Sequence, residues 1–89
     1  MKNAQYNSKD VKNTCESKLR INFRDGKEYN GWFEYSGRKI CRITIPKGRK
    51  FLPKGTYSSM ARQLKLTVNQ FDELLDCPLT FDRYAKIVS

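Results

Sequence analysis

The chain has 89 residues, of which 38% are apolar, 12% aromatic and 30% charged, and 18 Lys and Arg against 9 Asp and Glu leave a net charge of +9. That size suits a single domain with an economical core. This aromatic content argues against disorder, and no apolar run approaches the ~18 residues needed to cross a bilayer.

Histidine is absent, which removes the usual proton carrier near neutral pH and excludes serine–histidine and cysteine–histidine nucleophile systems. Three cysteines, Cys15, Cys41 and Cys77, form no CxxC pair, and without histidine they cannot complete a four-ligand structural zinc site. They read as reduced thiols, Cys41 and Cys77 in the core. No metal, no cofactor and no membrane partner is expected, and with no apolar signal region after Met1 the expected location is the cytoplasm.

In chain order, Met1 to about Asn7 reads as a polar flexible tail. A weak helical segment starts at Ser8 with Val11 and Cys15 on one face. Leu19 to Arg24 alternates apolar and polar residues, as a half-buried strand does, and Asp25-Gly26 then gives a turn. Trp32 to Tyr35, Ser36-Gly37 and Arg38 to Ile45 form a hairpin around a two-residue loop. In the simplest register Tyr35 faces Arg38, Glu34 faces Lys39, Phe33 faces Ile40 and Trp32 faces Cys41. Trp32, Cys41, Ile43 and Ile45 then share one apolar face, and Phe33, Tyr35, Ile40, Arg38 and Arg42 share the other. Phe33 and Tyr35 either pack under a helix or form an aromatic, cationic face able to stack bases and pair with phosphates.

Pro46 and Pro53 bracket a basic loop. Thr56 is the expected N-cap of a helix to about Lys65 that buries Tyr57, Met60, Ala61 and Leu64. Thr67 and Gln70 fit a capping box for a second helix from Val68 to Asp76, burying Phe71, Leu74 and Leu75. Pro78 breaks it, and Thr80 caps a last short helix with Phe81, Tyr84, Ala85 and Val88 on one face. The fold class is therefore α+β: a three-stranded antiparallel sheet packed against helices in the order αβββα(α). It makes a single domain over 1–89, with a C-terminal helical extension from 77 to 89.

Seven basic residues and no acidic one lie between Arg38 and Lys54, namely Arg38, Lys39, Arg42, Lys47, Arg49, Lys50 and Lys54. They end where a helix starts, so cations and the N–H groups of Gly55 and Thr56 are expected together, and both attract phosphate. Nucleic acid is the commonest polyanionic partner. The order Lys54-Gly55-Thr56 is inverted relative to a Walker A loop, which makes a nucleotide-triphosphate enzyme improbable. A helix-turn-helix over Ala61 to Leu75 is a weaker alternative, because its second helix carries Asp72, Glu73 and Asp76 and no cation to meet a duplex.

Gly31 to Tyr35, the turn at Ser36-Gly37, Arg42-Ile43-Thr44-Ile45-Pro46, and Lys54-Gly55-Thr56 leading to Met60, Gln63-Leu64 and Leu66 resemble the HicA family, small mRNA interferase toxins of bacterial toxin–antitoxin modules. The resemblance spans about residues 18–75. It implies a helix, a three-stranded antiparallel sheet and a helix, like a double-stranded-RNA-binding domain, with RNA as the target and an antitoxin-like protein as a possible second partner. The family's active position is a histidine in the strand before the hairpin turn. The corresponding place here is around Gly31, Trp32 and Phe33, so the family's acid–base mechanism does not carry over. Three function classes follow. The first is an RNA-binding protein using Arg38, Lys39, Arg42, Lys47, Arg49, Lys50, Lys54, Gly55 and Thr56. The second is a histidine-free, metal-independent ribonuclease in which Tyr35, Lys47, Arg49 and Lys50 polarise a phosphodiester. The third is a module that docks an acidic protein.

Overall fold

Asn7, expected at the end of a polar tail, opens the first helix with a reciprocal cap. Its side chain accepts from the Asp10 backbone N–H at 2.7 Å, and the Asp10 carboxylate accepts from the Asn7 N–H at 3.0 Å. This capping box offsets the poor helix propensity of Asn13 and Thr14. The computed structural model describes residues 1–48, 50–76 and 79–88, in the order α1 (Ser8–Lys18), β1 (Asn22–Asp25), β2 (Glu28–Tyr35), β3 (Arg38–Pro46), α2 (Lys54–Gln63), α3 (Val68–Leu75) and α4 (Phe81–Val88). The strands form one antiparallel sheet in the order β1-β2-β3, the expected α+β class. Among the described residues no helix is long and apolar enough to cross a membrane.

The first strand starts later than its alternation suggests. Leu19 caps α1, and Arg20 takes a left-handed conformation (φ 56°) that reverses the chain, so that the Ile21 N–H reaches the Cys15 carbonyl at 3.2 Å. Leu19 and Ile21 are both buried, as a helix cap and a turn residue and not as strand positions.

The hairpin turn lies at Ser36-Gly37 as expected, with positive φ at both residues (53° and 77°), the primed-turn geometry that matches strand twist. Tyr35 pairs with Arg38 and Glu34 with Lys39. There the expected register ends. Ile40 is an extra residue on β3, so Phe33 pairs with Cys41 and Trp32 with Arg42. A bulge of this kind shifts every later side chain on one strand to the other face of its partner. Phe33, Cys41, Ile43 and Ile45 are accordingly buried together, while Trp32 and Arg42 are exposed. This corrects the expected faces, in which Trp32 shared a side with Cys41, Ile43 and Ile45, and Phe33 shared one with Ile40 and Arg42.

Two contacts explain the choice. The Phe33 ring lies 4.7 Å from Tyr84 and 5.8 Å from Phe81, so α4 packs on it. Gly31 shares that inner side, and a Cβ there would meet Ile21 Cγ2 at 2.4 Å and Phe23 Cδ1 at 2.9 Å. Turning β2 over would remove the aromatic cluster and leave the tight approach of Ile21 without its glycine.

Helix α2 begins at Lys54, with Pro53 at the cap and no side-chain cap bond. Thr56 is therefore the third helical residue and not the N-cap. Proline presets φ for helix entry and has no N–H to orphan. The preceding Leu52 is fully buried, and its backbone exchanges bonds with Asn3, which anchors the entry. The α2 stripe Tyr57, Met60, Ala61 and Leu64 is buried as expected. The helix ends with Lys65 left-handed (φ 61°), its N–H on the Arg62 carbonyl and the Leu66 N–H on the Ala61 carbonyl. Thr67 and Gln70 form the expected capping box of α3. Cys77 and Pro78, the expected core thiol and helix breaker, lie outside the described residues. Thr80 accepts from the Arg83 N–H at 3.4 Å at the start of α4, whose Tyr84 and Ala85 enter the core.

Residues before α1, read as a tail, run against α3: the Lys2 backbone N–H bonds Asp72, and the Lys2 ammonium and Tyr6 hydroxyl bond Asp76. Helices α1 and α2 contact β3, α1 also contacts β1, α3 contacts α1 and α2, and α4 packs on Phe33. One sheet face is thereby covered. The other presents Asn22, Arg24, Trp32 and Arg42 to solvent.

Gly31→Ala should lower the unfolding free energy by about 1–3 kcal/mol, because its Cβ must displace Ile21 and Phe23. Lys65→Gly should raise it by up to about 1 kcal/mol by removing a left-handed penalty. Denaturant midpoints of the two variants moving in the same direction would contradict one of these assignments.

Candidate nucleic-acid interface

The bulge decides what the open sheet face displays. Asn22, Trp32 and Arg42 lie in register across β1, β2 and β3, with Arg24, Asn30 and Thr44 forming the next row. Thr44 Oγ1 and Asn30 Oδ1 are 2.7 Å apart, so the hydroxyl holds that amide in place. Trp32 is 42% exposed, with the Lys39 ammonium 5.1 Å and the Arg42 guanidinium 5.9 Å from its ring. Such exposed cation–π contacts contribute roughly 0.5–1 kcal/mol each, enough to bias the side chains toward the ring but not to lock them there.

These residues line a shallow depression of about 520 Å³, walled by Arg20, Arg24, Lys39 and Arg42 together with Asn22, Phe23, Asn30 and Trp32, and Glu34 is its one acidic residue. Arg20 is held at the rim by its left-handed backbone and by the Phe81 ring, 4.4 Å from its guanidinium. The cations thus come from the α1–β1 turn, β1 and β3, and converge only because the sheet brings them together.

The contiguous basic run is dispersed by the fold. Lys39 and Arg42 reach the Trp32 depression. Arg38 lines a separate one of about 440 Å³ with Tyr35, Lys39 and Lys65. Lys47 pairs with Asp25 and lies 4.8 Å from the Tyr29 ring, which Lys12 also approaches at 5.0 Å. That pairing holds the Asp25 carboxyl below its ordinary range, chiefly through the hydrogen bond from Lys47. Lys50 lines a third depression with Lys9, Lys12 and Tyr29. Lys54 is exposed at the first position of α2, and Gly55 and Thr56 line a fourth depression beside Glu28. Arg49 lies outside the described residues.

Of the two expected alternatives, packing under a helix holds for Phe33, which is sealed under α4; the ring beside the cations on the open face is Trp32. Arg20 and Arg24, which no sequence argument singled out, belong to that face. For Arg24 the signal was available in the polar positions of the alternation, whereas Arg20 depends on a backbone reversal that the residues do not announce. Of the candidate catalytic residues that the structure describes, Tyr35 lies apart from Lys47 and Lys50: Tyr35 stacks on Phe33, with centroids 6.5 Å apart and 11° between planes, while Lys47 and Lys50 sit by Tyr29. Helix α3, the recognition helix of the helix-turn-helix alternative, buries Phe71, Asp72, Leu74 and Leu75 and exposes Asn69 and Glu73, with Asp76 exposed at its C-cap, and these offer phosphate no cation.

Among the described residues no cluster of three or more His, Cys, Asp or Glu could hold a metal ion. Cys15 and Cys41 lie in the core, on the covered side of the sheet and away from solvent. Burial pushes Cys15 up to about 12, and it raises Cys41 against the opposing hydrogen bond with Tyr84. Comparisons with family models, with curated proteins and with solved structures return no match.

Native protein treated with iodoacetamide near pH 8 should remain unmodified at Cys15, because only the thiolate reacts and this thiol is both protonated and enclosed. Peptide mass mapping should find Cys15 modified only after denaturation; alkylation in the native state would contradict its burial.

Proposed function

We propose that this protein binds nucleic acid, specifically RNA, through the helix-free face of its sheet. The observation that carries this reading is the convergence of Arg20, Arg24, Lys39 and Arg42 around one depression containing a single acidic residue. Each cation that meets a phosphate releases condensed counterions, and the entropy of that release drives association. Arginine adds planar, bidentate recognition of phosphate that lysine lacks. The resemblance of about residues 18–75 to the HicA family supports RNA as the polymer. Lys47, Lys50 and Lys54 contribute to the long-range field that steers the polyanion in, and they are peripheral to the face itself.

The separation of Tyr35 from Lys47 and Lys50 supports binding without cleavage, since a phosphodiester has no converging set of those groups around it. Labelled RNA incubated with the protein in EDTA should be shifted and recovered intact. With about four phosphate contacts, affinity for RNA should fall roughly 50-fold to 150-fold between 50 and 200 mM salt. Lys39→Ala and Arg42→Ala should each flatten the logarithmic salt slope by roughly 0.7–0.9. A salt-independent affinity, or slopes unchanged in both variants, would overturn this assignment.

A further inference from the structure

Four cations would suffice for a phosphate track, so the ring at their centre needs its own account. Trp32 is the only tryptophan of the chain, and it stands outward between Arg42 on β3 and Asn22 on β1. An apolar ring of this size left 42% exposed on a polar sheet face is a cost to solubility, with no helix or loop among the described residues covering it. From the RNA-binding reading above, on which this inference rests, we infer that Trp32 is a stacking platform for an unpaired nucleobase and that the target class is single-stranded.

The geometry supports this in three ways. First, the depression around Trp32 holds about 520 Å³, room for a base beside the ring. Second, Lys39 and Arg42 lie 5.1 and 5.9 Å from the ring on exposed side chains, so an entering base moves one of them aside onto its own flanking phosphate. A cation–π contact is thereby exchanged for a base stack and a phosphate contact. Third, a paired base inside a duplex keeps both π-faces covered by its neighbours and cannot reach a ring set into a sheet, whereas a base in a single strand can be splayed out. Asn22, the register partner of Trp32 across the β1–β2 pair, also lines the depression and offers a polar side chain to the edge of such a base.

Because the chain holds one tryptophan, its fluorescence reports this contact directly. The protein is titrated with a short single-stranded RNA, the same sequence as DNA, a blunt RNA duplex, and a single strand carrying abasic sites, with anisotropy of a labelled strand followed in parallel. Quenching by the single-stranded RNA, and little by the duplex or the abasic strand at equal bound fraction, is the expected result. Equal quenching by single-stranded DNA also supports stacking but overturns the restriction of the proposed function to RNA, since the sugar is then not read. Trp32→Ala should weaken single-strand binding about tenfold while leaving the salt slope unchanged, and Trp32→Phe should restore most of the loss. Binding by anisotropy without quenching, or equal quenching by the abasic strand, overturns the stacking platform and leaves the RNA-binding reading intact. No binding to any strand at low salt overturns both. Circular dichroism of Trp32→Ala separates lost stacking from lost folding.

Discussion

One residue more on β3 than on β2, inserted between the Glu34–Lys39 and Phe33–Cys41 pairs, settles which side chains make the core and which make the surface. Up to Lys39 the hairpin follows the geometry of its two-residue turn. Beyond Ile40 the alternation inverts relative to that turn, so Cys41, Ile43 and Ile45 join Phe33 beneath the helices while Arg42 joins Trp32 outside. The bulge is held by what it packs against. Phe33 meets Tyr84 nearly edge-on, at 83° between ring planes, and the Tyr84 hydroxyl donates to the Leu64 carbonyl at 2.9 Å, tying α4 to the end of α2. Helix α4 thus acts at a distance on the open face: by fixing Phe33 inward it fixes Trp32 outward.

The electrostatics follow from the same geometry. A basic run in sequence suggests one patch, yet strand alternation and a loop distribute its members around the molecule. Some of the charge is already partnered, with Lys47 on Asp25 and Lys12 on Glu16. Such exposed pairs contribute little to stability but do offset local potential. Among the described residues Arg20, Arg24, Lys39 and Arg42 form no ion pair within 4 Å, which leaves their charge free to act on a ligand. In the RNA-binding reading proposed above, their proximity to Trp32 would join a sequence-independent attraction for phosphate to base stacking, two contributions that salt separates.

On the far side of the molecule the polar groups serve packing. Asp72 is nearly buried on α3, yet its carboxylate accepts from the Tyr57 hydroxyl and from the Lys2 backbone N–H. A buried carboxylate is tolerable when it is bonded in this way and costly when it is not. The same bonds tie α2 to α3 and bring the segment before α1 against both. Asp76, held below the usual carboxylate range by its bonds to Lys2 and Tyr6, extends this clasp at the surface.

The sequence by itself determined the local structure wherever near neighbours suffice. Ser36-Gly37 specifies its turn through two positive φ angles, Thr67 and Gln70 satisfy each other's backbone, and the stripe Tyr57, Met60, Ala61 and Leu64 has one face that can be buried. These are interactions over a few residues, and they were legible together with the α+β order and the net positive charge. Thr56 misled because Pro53, held by the burial of Leu52, starts the helix two residues before it. What only the tertiary structure decided is the side of the sheet on which each residue lies. Both faces of the hairpin carry aromatic and aliphatic residues, so periodicity supports either assignment, and a one-residue bulge costs less than exposing Phe33 or leaving the close approach of Ile21 without its glycine. Contacts distant in the chain, from α4 and from the turn before β1, break that tie. They place Trp32 among Arg20, Arg24, Lys39 and Arg42, a grouping no linear pattern contains.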